Sequence, residues 1–146
     1  MKMEELKGKV GTEWQRRAYE IEKGTIRRFA QAIDDPNPLW QDEEYARKTG
    51  YDSIIAPPAF ITTLGMEQLQ HLLSSEAAET SLHGSTEIEC YQPVRAGDTV
   101  TVITKIGDFR QRQGQMGQAS FVTFYITYEN QRGDLVAKCR QMIVSY

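Results

Sequence analysis

From residue 81 onward the chain alternates. Thr86–Tyr91, Thr99–Ile106, Ala119–Glu129 and Leu135–Tyr146 each set apolar against polar residues at period two and are rich in Val, Ile, Thr, Phe and Tyr, the pattern of strands packed on at least one face. In the third run Val122, Phe124, Ile126 and Tyr128 share one face and Phe121, Thr123, Tyr125 and Thr127 the other. Both faces are partly apolar, so both are expected to be covered. Pro93–Asp98, Arg110–Gly117 and Asn130–Asp134 separate the runs with turn and hairpin residues.

Upstream the period changes. Trp14–Glu22 offers one short strand, broken by Lys23-Gly24. Thr25 then stands where a helix cap belongs, because Ile26, Phe29, Ala30 and Ile33 recur at helical spacing while Arg27, Arg28 and Gln31 face the other way. Asp42-Glu43-Glu44 opens a second short helix, with acids at the positive end of its dipole, and Gly50 stops it after Lys48. Behind Pro57-Pro58, which suit a helix's first turn, Ala59–Leu73 carries Phe60, Ile61, Leu64, Met66, Leu69, Leu72 and Leu73. Such a helix is apolar around much of its circumference and must be wrapped by something. One buried helix followed by an antiparallel meander predicts an α+β architecture, a sheet curled around the helix, as a single domain over residues 1–146.

Composition narrows the function classes. The chain has 146 residues, 40% hydrophobic and 25% charged, which is the size and make-up of one ordinary globular core. A net charge of −3, with Lys and Arg scattered, leaves no basic stripe for nucleic acid. Cys90 and Cys139 lie in strand-like runs without metal-ligand spacing and read as buried apolar side chains in a reducing compartment. Met1–Val10 has no apolar signal region, and no stretch is long and apolar enough for a membrane span. A cytoplasmic protein with no membrane partner is expected.

The segment between the two short helices carries the chemistry: Asp34-Asp35-Pro36-Asn37-Pro38-Leu39-Trp40. It resembles the active-site loop Gly-Asp-x-Asn-Pro-Leu/Ile-His of the MaoC-like (R)-specific enoyl-CoA hydratases and 3-hydroxyacyl dehydratases. Asp35, Asn37, Pro38 and Leu39 match, Asp34 replaces the leading Gly, and Trp40 replaces the catalytic His. Phe29-Ala30, Asp42-Glu43-Glu44-Tyr45-Ala46, Gly50-Tyr51, Ile55-Ala56-Pro57-Pro58, Leu82-His83-Gly84 and Tyr91-Gln92-Pro93-Val94-Arg95-Ala96-Gly97-Asp98 follow in the family's order. The resemblance covers nearly the whole chain. It implies the hot-dog fold, two units pairing into a double hot dog as a homodimer or heterodimer, an acyl thioester of fatty-acid metabolism as substrate, and CoA or acyl carrier protein as its carrier. No metal or redox cofactor is implied.

The family's reaction adds water across a 2-enoyl thioester or removes it from a 3-hydroxyacyl thioester. It needs a base for water at C3, a proton at C2 and a donor to the thioester oxygen. By resemblance Asp35 and Asn37 stand at catalytic positions, and backbone N–H groups near Ala56, Pro57, Pro58, Ala59 and Phe60 at the helix start would meet the oxygen. Trp40, Tyr45 and Tyr51 are candidates for lining the acyl channel and His83 for its edge, whereas His71 reads as a solvated helix end. Indole donates a hydrogen bond but does not titrate, so Trp40 cannot replace imidazole. Losing that acid/base group costs roughly 10²–10⁴-fold in rate.

Three functions remain in view. The chain is an acyl-binding, catalytically incomplete subunit whose partner chain supplies the Asp/His pair; or a self-sufficient homodimeric hydro-lyase using Asp35 with His83 or a coupled carboxylate; or a non-enzymatic acyl-CoA-binding hot-dog protein.

Overall fold

A computed structural model describes residues 3–74 and 80–146. The order is α1 (Met3–Gly8), β1 (Glu13–Glu20), α2 (Lys23–Ala32), a 3-10 turn at Pro38–Trp40, α3 (Glu43–Lys48), a 3-10 helix at Pro58–Thr63, α4 (Met66–Ser74), then β2 (Ser81–Cys90), β3 (Thr99–Gly114), β4 (Gly117–Glu129) and β5 (Leu135–Ser145). All five strands join one antiparallel sheet in the order β1-β3-β4-β5-β2. The helices precede β2 in the chain, so the first and second strands end on opposite edges.

One face of the sheet is the core. Register places Ile106 opposite Phe124 and Val102 opposite Tyr128, while Ile126 faces Cys139 and Tyr128 faces Ala137. All of these are buried, and Ile26, Ala30, Ala46, Ile54, Phe60 and Ile61 pack over them from the helical half. The other face is mixed: Thr123 is buried, Phe121 and Thr127 are half-buried and Tyr125 is exposed. The expected cover over both faces is therefore present on one of them within this chain.

Several boundaries differ from those expected. Strand β2 begins at Ser81, five residues before the expected Thr86, and β3 and β4 run through most of the expected Arg110–Gly117 loop to leave a tight turn. Gly117 there has φ 101, a conformation that suits glycine and lets the strands reverse at once. Helix α2 starts at Lys23, with Glu22 at its cap and no side-chain cap bond from Thr25; Ile33, expected on its apolar face, is 48% exposed.

The central helix is the largest correction. Ala59–Leu73 does not form one wrapped helix: a 3-10 helix ends at Thr63, Gly65 turns the chain at φ 84, and α4 begins at Met66. Phe60, Ile61 and Leu69 are buried, Leu64 and Met66 only half so, and Glu67, Gln70 and His71 are exposed. The Leu72 and Leu73 side chains lie outside the described residues. Two prolines at the start favour a short tight helix, and a left-handed glycine is a chain reversal rather than a helical residue. Tyr19 on β1 ties α4 down through a 2.6 Å hydrogen bond to Glu67 Oε1.

Candidate functional site

The loop from Asp34 to Gln41 is held from both sides. Lys23 on α2 bonds Glu43 on α3 at 2.8 Å, and Arg27 reaches across to Gln41 O. The lysine ammonium accordingly holds the Glu43 carboxyl below its ordinary range. Asp42 caps α3 by accepting from Tyr45 N. At the start of the loop Asp34 has φ 53, the left-handed region, where Asp and Asn are tolerated after Gly. This explains how an aspartate stands where the resembled loop has glycine.

Within the loop Asp35 is engaged on both oxygens. Oδ1 accepts from Asn37 N at 3.1 Å and Oδ2 from the Trp40 indole Nε1 at 2.9 Å. Asn37 Oδ1 in turn accepts from Leu39 N. The carboxylate and carboxamide thus serve as successive turn acceptors, and the buried indole closes the loop on itself. Trp40, which the resemblance sets against a histidine, here donates a hydrogen bond and cannot titrate.

Trp40 also borders a cleft of about 260 Å³ lined by Ile55, Ala56, Pro57, Pro58 and Ile61 from one segment and by Cys90–Val94, Val136 and Ala137 from others. Strand geometry explains the convergence: Cys90 is paired with Ala137 in β5, and Ala56 N donates to Val94 O at 2.8 Å. The lining is apolar apart from Tyr91 and Gln92, and no charged side chain contributes to it. Asp35 is not a lining residue, whereas Trp40, whose indole N–H it accepts, is one.

The structure thus gathers Trp40, Ala56, Pro57 and Pro58 of the expected site residues on one cleft and sets the others apart. Phe60 is buried in the core with its ring edge-on to Phe29, Tyr51 packs half-buried against the core, and Tyr45 is 42% exposed on α3. Among the amides expected to meet a thioester oxygen, Ala56 N and Phe60 N bond backbone carbonyls and the two prolines have none, which leaves Ala59. His83 lies on β2, exposed and sharing a hydrogen bond with Thr86; seven residues of strand, roughly 20 Å, separate it from Cys90 at the cleft. His71 is exposed on α4, in the group that includes Trp14, Arg17 and Glu67.

Cys90, expected to be buried, is exposed and lines the cleft, while Cys139 is buried. The lining residues not singled out as site residues in the sequence include Ile55, Ile61, Val94, Val136 and Ala137, all small or aliphatic, and the polar Gln92. Val136 and Ala137 carry only the strand periodicity of β5, Ile61 belongs to the 3-10 helix, and Ile55, Gln92 and Val94 lie in connecting segments that the fold brings alongside. Among the described residues no three His, Cys, Asp or Glu side chains converge as a metal site, and no helix is long and apolar enough to cross a membrane.

Comparison with known proteins places this geometry. A protein from Saccharopolyspora erythraea named UPF0336 protein is 30% identical over 132 residues, covering 88% of this chain and 82% of its own. A probable enoyl-CoA hydratase alpha subunit of Thermomonospora curvata is 27% identical over 83% of this chain, which spans 43% of that subunit. Among solved structures, a C-terminally truncated HadBC (3R-hydroxyacyl-ACP dehydratase) complex from Mycobacterium tuberculosis superposes with TM-score 0.79 at 25% identity, covering 94% of this chain and 97% of the other. The model of the FAS1-like dehydratase domain region matches residues 8–139. The chain belongs to this MaoC-like dehydratase and hydratase family and has its hot-dog fold.

Proposed function

We propose that this chain is the acyl-binding, catalytically incomplete subunit of a heteromeric (R)-specific enoyl-thioester hydratase or 3-hydroxyacyl-thioester dehydratase. One observation carries the reading: both Asp35 oxygens accept hydrogen bonds from their own loop, Oδ2 from Trp40 Nε1, and of the two residues Trp40 lines the cleft while Asp35 does not. A base must reach the water it activates, by contact or through one water. Here the carboxylate is turned to its own loop. The apolar cleft meanwhile retains what an acyl chain needs, and binding without turnover is a sufficient task for a subunit whose partner has both Asp and His. The relatives lend support, since one is a subunit and another structure is a two-chain complex.

Two measurements test it. The purified chain alone is expected to leave crotonyl-CoA unhydrated; hydration at rates typical of the family would overturn the assignment. Trp40→His restores an acid/base group beside Asp35 and is expected to produce measurable hydration, because the frame around the loop is intact.

A further inference from the structure

Arg95 follows the cleft residue Val94, and its backbone forms an isolated antiparallel bridge with Ile55, another cleft residue. Residues paired in this way project to the same side of the ladder, which sets Arg95 at the margin of the cleft although it is not itself a lining residue. The side chain is half-buried, and its Nε is sealed from solvent with no acceptor. Among the described residues Arg95 makes no ion pair. The obvious carboxylate is already engaged: Asp98 Oδ2 accepts from Arg95's own backbone N at 2.9 Å, and Asp98 Oδ1 accepts from Gln131 Nε2 at 3.0 Å. A guanidinium partly withdrawn from water without an acceptor is costly, and such a group calls for an anion.

Resting on the acyl-thioester reading above, we propose that Arg95 binds the phosphate of the pantetheine carrier whose acyl chain enters the cleft. The cleft lining supplies no charge, so the anionic end of the ligand must be met at its flank. An arginine fork matches phosphate oxygens with parallel hydrogen bonds, and with Nε sealed inside the protein the two Nη groups are the donors a phosphate would meet. Free CoA and carrier-bound phosphopantetheine share this chemistry.

The test is calorimetry on the full chain with three saturated ligands: butyryl-CoA, butyryl-phosphopantetheine and the butyryl thioester of N-acetylcysteamine, which has no phosphate. Arg95→Met keeps the aliphatic stem and removes the fork. It is expected to weaken both phosphate-bearing ligands by about tenfold or more and to leave the N-acetylcysteamine thioester unchanged; Arg95→Lys should retain part of the difference. Loss for butyryl-CoA alone would move the contact to the nucleotide phosphates, overturning the pantetheine assignment. An equal loss for all three ligands, or none, would make Arg95 a structural residue and overturn the proposal, as would an oligomer that dissociates in Arg95→Met with its phosphate preference intact. If the unmodified chain bound none of the three, the cleft reading itself would fail and this proposal with it.

Discussion

Replacing Trp40 by phenylalanine removes the indole N–H while keeping most of the apolar ring, so it isolates the bond to Asp35 Oδ2. A hydrogen bond to a charged acceptor contributes roughly 1.5–3 kcal/mol, less where water can replace it. Asp35 is half-buried, and Trp40→Phe is therefore expected to cost about 1–2 kcal/mol, read as a lower urea midpoint with unchanged m-value. The Asp-Pro-Asn-Pro spacing makes a turn legible in the sequence, and Asp35 and Asn37 are the acceptors that close it. Which way the indole turns was not legible, since that depends on packing between Leu39 and Ile55, sixteen positions apart, whose backbones bond at 3.1 Å. The exposure of Cys90 is illegible for a related reason: its strand alternates as a buried one would, but its end opens into the cleft.

Helix α4 depends on a small number of contacts, of which Tyr19–Glu67 is the most specific. Burial first, and then the hydrogen bond to Glu67, push the Tyr19 phenol up to about 12. An unfolded tyrosine ionises near pH ~10, so above that the unfolded chain loses a proton that the folded one keeps. The stability contributed by Tyr19 is thus complete below about pH 10 and is lost as pH rises from about 10 towards 12. Tyr19→Phe should flatten that part of the stability profile and speed amide exchange across Met66–His71, where the tether is removed. Strands were the more legible elements, because period two survives local variation. The central helix was not, because its apolar count says nothing about Gly65, whose left-handed φ cannot be distinguished in sequence from a tolerated helical glycine.

The assembled sheet sorts the two thiols. Burial pushes the Cys139 thiol up to about 11, whereas Cys90 is exposed on the cleft. Alkylation of the native protein by a maleimide should modify one thiol rapidly and the second only in denaturant, and butyryl-CoA should slow the first; two fast thiols would contradict the packing of Cys139 against Tyr128. Among the described residues the sheet ends at β1 on one edge and β2 on the other, and the second runs directly into the cleft at Cys90. The cleft itself has walls from Trp40–Ile61 and from Val136–Ala137, nearly a hundred residues apart. A ribosome making this chain has therefore produced every loop residue long before the opposite wall exists, and the cleft is not closed on that side until β5 has emerged and docked. Early, half-made chains are blind to the ligand; only a finished sheet can be rewarded by it.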